Sequence, residues 1–136
     1  MFGTVRREMD WLRQAEADLK AARDLKATSN FAHACFMSQQ AAKKALKAAL
    51  ERLGEDTFGH DLDDLLGRVE RHVSAPEGVR RACAKLNKFY IPTRYPNAFP
   101  SGAPSDHFHE FEAEEAIRDA NCVLSFARGI VLPAGE

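Results

Sequence analysis

The segment spanning residues 30–53, NFAHACFMSQQAAKKALKAALERL, constrains the fold more than any other part of the chain. Its apolar residues recur with the 3.6-residue period of a helix that buries one face: Phe31, Cys35, Ala42, Ala45, Leu46, Ala49, Leu50 and Leu53. Asn30 suits the N-cap position, and Gly54 suits the left-handed position after the last turn. The pattern predicts a long central helix whose alanine-rich face lets a neighbouring helix approach closely. The opposite face, which we expect in solvent, carries Gln40, Lys43, Lys44, Lys47 and Glu51.

Four further segments show helical patterns. A first helix is predicted over residues 4–26, and a third helix follows His60 and Asp61. A fourth is expected to begin at Ser74, because a serine followed three residues later by an acid is typical of a helix start. The last helix is expected to be capped by Asp106 and to run to about residue 131.

The segment spanning residues 90–105, YIPTRYPNAFPSGAPS, contains four of the six prolines, and no helix accommodates that spacing. It also contains Ile91, Tyr95 and Phe99, more large apolar side chains than a disordered linker would carry. We therefore interpret it as an ordered crossover packed on the bundle. The expected fold is all-α: an up-and-down antiparallel bundle of four to five helices in one domain, residues 1–136, with a proline-rich crossover before the last helix.

The overall composition excludes bulk electrostatic attraction to nucleic acids or acidic membranes, because the net charge is -1 and the pI is about 6.5. No apolar run approaches the length of a membrane span, and the first residues lack the apolar region of a signal peptide. We expect a soluble cytoplasmic protein with no membrane contact. Its three cysteines, Cys35, Cys83 and Cys122, are far apart and odd in number, which favours reduced thiols.

Four short motifs, taken in order, resemble the HEPN (higher eukaryote and prokaryote nucleotide-binding) domain family. They are WLRQAEADL from Trp11, QQAAKKALKAAL from Gln39, HDL from His60 and YIPTRYP from Tyr90. The resemblance covers about residues 7–127 and implies a small antiparallel helical bundle, often paired as a homodimer. It also implies a minimal nucleotidyltransferase as partner, in a toxin–antitoxin-like pair. One departure is Lys43, where the family often has a glutamate.

Many HEPN proteins are ribonucleases, and their signature is an arginine and a histidine separated by four to six residues on one helix. The pairs in this chain have other separations: seven residues for Arg52 and His60, three for Arg68 and His72, and twelve for Arg94 and His107. No catalytic residue is therefore assigned, and ribonuclease activity is not expected. A site assembled from several helices stays open.

Candidate ligand-binding residues lie around the crossover. Arg94 could present its planar guanidinium group to a phosphate or carboxylate, and Tyr90 and Tyr95 could stack on a base. The remaining candidates are His60, Lys43 and Lys44. In the alternative interpretation, Arg94 only ties the crossover to a helix acid or to backbone carbonyls, His60 is a helix cap, and the lysines form a solvated face.

No pattern in the sequence supports a metal or a cofactor. His107 and His109 are two residues apart and would diverge on a helix, and the chain has no glycine-rich phosphate loop. The functional expectation is a binding module for a nucleotide or RNA. Trp11 and Phe108 supply apolar surface for a homodimer, and a minimal nucleotidyltransferase is the expected partner. The alternatives are an RNA-cleaving toxin with a non-standard site and a purely structural dimeric adaptor.

Overall fold

A computed structural model of the chain describes residues 6–133, and these residues form helices and turns with no strand. In chain order the helices are α1 (Glu8–Ala27), α2 (Phe31–Leu53), α3 (Leu62–Val69), α4 (Glu77–Asn87), α5 (Pro104–His107) and α6 (Glu110–Val131). A single 3₁₀ turn, Pro96–Ala98, lies in the proline-rich segment. The all-α prediction is confirmed. The four-residue helix α5 was not expected, and it forms where a proline occupies the first helical position.

Helix α2 lies at the centre of the bundle and contacts each of the other α-helices. Its alanines allow this, because small side chains let helix axes approach closely. Those that are fully buried include Ala34, Ala41, Ala42, Ala45, Ala48 and Ala49. A helix surrounded on so many sides has little solvated surface. The prediction of a solvated polar face is therefore wrong at Lys43, which is 8% exposed, while Lys44 and Lys47 are half-buried.

The ends of α2 follow the sequence in position but only partly in chemistry. Gly54 adopts the left-handed conformation after the last turn, with φ of 74°, as predicted. Asn30 occupies the N-cap position, but its side chain does not accept a bond from the first turn. Its Nδ2 group instead donates to Oγ1 of Thr28, at 2.9 Å. The turn between α1 and α2 is therefore stabilised from within.

Two predicted helix starts are wrong by a few residues, and a third falls outside the described residues. Helix α1 begins at Glu8, and the predicted start at residue 4 lies outside the described residues. Helix α4 begins at Glu77, so Ser74 does not cap it. Asp106 does not cap the last helix, because its carboxylate accepts the backbone N–H of Ala103 within α5. Helix α6 begins later, where the carboxylate of Glu112 accepts the backbone N–H of His109.

The interior is mostly apolar, and two of the three thiols lie within it. Cys35 and Cys83 are fully buried, and burial raises the pKa of each thiol to about 12, so both are inert near neutral pH. Cys122 is half-buried, and all three are free, as predicted. Phe108 is buried against Phe89 and Phe99 rather than exposed for a partner. Within residues 6–133 no helix is long and apolar enough to cross a membrane.

Candidate functional site

The chain turns tightly after α4, and this turn fixes the position of Arg94. The backbone N–H groups of Arg94 and Tyr95 both donate to the carbonyl oxygen of Ile91, at 3.0 and 3.2 Å. The hydroxyl group of Thr93, a residue only 3% exposed, donates to the carbonyl oxygen of Phe89 at 2.6 Å. The prolines on either side restrict the backbone further. The start of the crossover is therefore ordered by its own hydrogen bonds, as the sequence predicted.

The guanidinium group of Arg94 lies among three aromatic rings. Its Cζ atom is 4.5 Å from the ring centroid of Tyr90, 4.6 Å from that of Phe36 and 5.0 Å from that of Tyr95. At these distances the positive charge is attracted to the electron-rich faces of the rings. Because Phe36 belongs to α2, the same contacts tie the crossover to the central helix.

Arg94 nevertheless keeps most of its hydrogen-bonding capacity. Its Nε group donates to the carbonyl oxygen of Tyr90, at 2.9 Å. None of the ion pairs within residues 6–133 includes Arg94, and its side chain is exposed. A guanidinium group has five N–H donors in its plane, and attraction to ring faces uses none of them. The two terminal nitrogens can therefore receive an anion.

Lys43 and His60 meet at the Tyr90 ring. The Nζ atom of Lys43 lies 5.6 Å from the Tyr90 ring centroid and 3.5 Å from Nδ1 of His60. The imidazole ring of His60 stacks on Tyr90, with centroids 5.5 Å apart and planes inclined by 23°. The structure thus brings five of the six predicted residues into one cluster. We call His60, Tyr90, Arg94, Tyr95, Lys43 and the additional Phe36 the Arg94 cluster.

The environment of Lys43 disfavours its positive charge. Burial is the main cause, followed by the neighbouring charges of Lys47, Lys44 and Arg94, and together they lower the pKa of Lys43 to about 8. Asp18 acts weakly in the opposite direction. The positive charge of Lys43 is poorly compensated, because it lies among like charges and no carboxylate of residues 6–133 pairs with it. A bound anion would stabilise the charged form.

Lys44 is the predicted site residue that the structure does not place in the Arg94 cluster. Its ammonium group lies 2.6 Å from the carboxylate of Asp18 on α1, which is only 4% exposed. The same carboxylate accepts the amide N–H of Gln14 at 2.9 Å. Lys44 therefore joins α1 to α2. Its assignment as a ligand-binding residue stays a prediction, and this pair with a buried acid disfavours it.

The two tyrosines differ in what they can offer a ligand. Tyr90 is half-buried and already has His60 and Arg94 against its ring, so it is a support for other groups rather than a free stacking surface. Tyr95 is 45% exposed and keeps open ring surface. A shallow cavity of about 310 Å³ borders the cluster, and its lining includes His60, Tyr90 and Lys88.

His107, at the end of α5, stabilises the crossover itself. The His107 ring stacks on Phe99 with centroids 4.0 Å apart, and its Nε2 atom lies 2.7 Å from the carbonyl oxygen of Ser101. Within residues 6–133 no group of three or more histidine, cysteine, aspartate or glutamate side chains is placed to hold a metal ion. The polar groups of the Arg94 cluster are cationic or aromatic, which suits an anion and not a cation.

Sequence reasoning missed Phe36. A phenylalanine on an amphipathic helix is normally taken as part of the core, and this one faces the crossover instead. A signal was present, because residues 36, 40, 43 and 47 recur at helical spacing and define one stripe along α2. Placing Phe36 on the lysine stripe rather than on the alanine face would have identified it.

The fold and the cluster together define a class: a small helical bundle with an exposed cation–aromatic group at the turn before its last helices. The chain belongs to the HEPN domain family, which matches residues 9–130. The resemblance noted in the sequence is thereby confirmed.

Solved structures agree with this assignment. The protein TT1696 from Thermus thermophilus is 40% identical, with a TM-score of 0.90 over 93% of this chain and 99% of that one. ST0689, an archaeal HEPN homologue, is 35% identical, with a TM-score of 0.80 over 93% and 99% of the two chains. An HEPN domain protein from Thermotoga maritima, tm0613, is 29% identical, with a TM-score of 0.75 over 91% and 98%. A comparison with curated protein sequences gives no significant match.

Proposed function

We propose that this HEPN protein is a binding module that receives a phosphate group of a nucleotide or RNA at the Arg94 cluster. The observation that carries the proposal is the environment of the Arg94 guanidinium group. Its guanidinium group is oriented by three aromatic rings, yet its terminal nitrogens have no carboxylate partner within residues 6–133. A planar, permanently charged fork held in this way matches the geometry of a phosphate.

The cost of binding at such a site is low. The prolines and the backbone bonds to Ile91 already order the turn, so little conformational entropy remains to be lost. The side chain of Arg94 is held by the rings before any ligand arrives. The net charge of -1 does not oppose the proposal, because Arg94, Lys43 and Lys47 concentrate positive charge along one stripe.

A nucleotide suits the site better than a simple inorganic anion. Tyr95 offers a partly exposed ring 5.0 Å from the Arg94 Cζ atom, and a base stacked on tyrosine typically gains about 1–3 kcal/mol. Lys43 offers a second positive charge that is poorly compensated in the free protein. In the proposed complex Arg94 and Lys43 bind the phosphate, and Tyr95 stacks on the base. Each side chain then makes the contact that its chemistry favours.

The assembly belongs to the same proposal. The protein acts as a homodimer in the cytoplasm, beside a minimal nucleotidyltransferase and as one half of a toxin–antitoxin-like pair. Membership of the HEPN family supports this part, because resemblance to that family implies a homodimer and a minimal nucleotidyltransferase partner. Co-expression with the nucleotidyltransferase encoded nearest to its gene, followed by co-purification, tests the pairing.

Binding of a fluorescently labelled single-stranded RNA, with adenosine monophosphate as competitor, tests the site. Arg94→Ala is expected to weaken binding about tenfold or more, because a charge-assisted contact is lost. Arg94→Lys should recover part of the affinity, since it keeps the charge but not the fork. Arg118→Ala, on α6, is the matched control and should bind like the unchanged protein.

The competing interpretation makes Arg94 a pin that holds the crossover to α2. Under our proposal Arg94→Ala lowers the free energy of unfolding by no more than about 1–2 kcal/mol, because the side chain is exposed and each exposed cation–π contact contributes about 0.5–1 kcal/mol. A much larger loss of stability, together with no binding of RNA or nucleotide by the unchanged protein, would assign Arg94 to structure and favour a purely structural adaptor.

A further inference from the structure

In the described part of the chain, contacts between cations and aromatic rings lie on one side of α2. Within residues 6–133 there are five such contacts, and each involves Arg94, Lys43 or Lys47. Lys43 and Lys47 are one helical turn apart, about 5–6 Å along the helix. The Nζ atom of Lys47 lies 5.4 Å from the ring centroid of Trp11 on α1. The Arg94 cluster is thus continued by a second cation–aromatic pair.

Lys47 resembles Lys43 in its electrostatics. Burial lowers its pKa, the charges of Arg68 and Lys44 act in the same direction, and only Asp56 acts in the opposite direction. Lys47 takes part in none of the ion pairs within the described part of the chain. Its charge, like that of Lys43, is therefore poorly compensated.

Trp11 lines a cavity of about 490 Å³ whose other lining residues are Arg7, Asp10, Gln14, Glu51 and Thr57. The two carboxylates in this lining are already engaged. Asp10 pairs with the guanidinium groups of Arg7 and Arg13, and Glu51 accepts the backbone N–H of Arg7 at 3.3 Å. Neither carboxylate compensates Lys47, so the cavity combines an aromatic wall with an adjacent unmatched cation.

The loop beside this cavity presents a further aromatic ring. Phe58 is 78% exposed, although its loop is held in place by Arg68, whose guanidinium group donates to the carbonyl oxygens of Asp56 and Phe58 at 2.5 and 2.6 Å. Phe58 directly follows Thr57, which lines the cavity. Because these hydrogen bonds hold the loop in place, the exposed ring of Phe58 is available to stack on a flat ligand group.

We propose that Lys47 and Trp11 form a second nucleotide subsite, with Phe58 at its rim, so that the ligand is a single-stranded RNA lying along α2 rather than a mononucleotide. The inference rests on the proposed function of the Arg94 cluster. Alternation of cations with aromatic rings is what a sequence-tolerant single-strand site requires: the cations take successive phosphates, and the rings take bases.

Affinity as a function of ligand length tests the inference. The ligands are adenosine monophosphate and oligouridylates of two, four and eight nucleotides. The unchanged protein is expected to bind the longer strands about tenfold or more tighter than the mononucleotide, because a second stacked unit is added. Lys47→Gln should remove that gain while weakening mononucleotide binding far less. Lys20→Gln, an exposed lysine paired with Asp24 on α1, should do neither.

The salt dependence of RNA binding provides a second measurement, which a loss of stability in the variant would not reproduce. For the longest strand, Lys47→Gln should reduce the slope of log K against log salt concentration by about 0.7, the value for one phosphate contact on a single strand. Trp11→Phe, which keeps a ring in the partly buried position, should retain much of the gain, whereas Trp11→Leu should lose it.

The outcomes separate the two proposals. If the mononucleotide binds in an Arg94-dependent manner but longer strands bind no tighter, or if Lys47→Gln weakens all ligands equally, the second subsite is wrong and the Arg94 site stands. If neither mononucleotide nor RNA binds, the proposed function itself fails, and the second subsite fails with it.

Discussion

The Nζ atom of Lys43 lies 3.5 Å from Nδ1 of His60, although one residue comes from the middle of α2 and the other from the turn before α3. This contact links the central helix to the start of the third helix, next to the ring of Tyr90. It places the poorly compensated ammonium group of Lys43 beside the other side chains of the Arg94 cluster. Lys43 is therefore expected to favour binding at the expense of stability.

Replacing Lys43 with methionine is expected to raise the free energy of unfolding near neutral pH by about 1–3 kcal/mol, because the buried stem is kept and the buried charge is removed. The pKa of Lys43 is about 8 in the folded protein, against an ordinary value of 10.5. Between these pH values the unfolded chain binds more protons, so this group makes the unchanged protein more stable as pH rises. The advantage of the variant is full below about pH 8 and lost above about pH 10.5.

Urea unfolding at about pH 7 and about pH 10 measures this difference, with Lys20→Met as the exposed control. The same Lys43→Met variant should bind nucleotide more weakly. An equal effect on stability at both pH values would show that the charge of Lys43 is not the cause.

Replacing Asp18 with asparagine is expected to lower the free energy of unfolding by about 2–4 kcal/mol, because a half-buried Lys44 ammonium group loses its partner. The double change Asp18→Asn with Lys44→Met should recover much of the loss, which a double-mutant cycle measures. RNA binding should be little affected by either variant. If Asp18→Asn alone lowers the free energy of unfolding by less than about 0.5 kcal/mol, the Asp18–Lys44 pair contributes little to stability.

In the absence of added metal ions, the protein is expected not to cut single-stranded RNA. No arginine and histidine in the chain have the spacing of the family's ribonuclease signature on one helix. Gel electrophoresis of a labelled RNA after incubation checks this, with Arg118→Ala as the control for contaminating nuclease. Specific cleavage that disappears in His60→Ala or Arg94→Ala would reverse the expectation and indicate an RNA-cleaving toxin with a non-standard site.

Light scattering is expected to give twice the chain mass of 15.1 kDa. The chain keeps large apolar side chains in water, among them Phe111 at 66% exposure and Leu132 at 51%, and such surface commonly marks an interface. Phe108, which the sequence offered for this role, is buried within the protomer. A monomer mass at high protein concentration would exclude the dimer.

The sequence predicted those features that depend on neighbours along the chain. The ends of α2 follow from Gly54 and from the apolar period, because both signals are local. The prediction that Arg94 lies beside Tyr90 is confirmed, because a proline-restricted turn places residues four apart in the chain next to each other. His60 was found through its family motif.

Features that depend on other helices could not be predicted in this way. Lys43 and Lys44 are adjacent and look alike in the sequence, yet one reaches Tyr90 and the other reaches Asp18, because successive residues on a helix point about 100° apart. Neither partner is near in sequence. The start of α6 was misplaced for a related reason: Asp106 is a good cap, but α5 uses it first.

The most direct test of the central claim is a nuclear magnetic resonance titration of the isotopically labelled protein with adenosine monophosphate. If the Arg94 cluster receives the phosphate, the Arg94 Nε–H signal and the ring signals of Tyr90 and Tyr95 should shift in a saturable way, and the pKa of Lys43 should rise above about 8. Arg94→Ala should abolish the shifts at the tyrosines. Shifts that are absent at saturating nucleotide, or that are confined to residues around Arg118 on α6, would contradict the account.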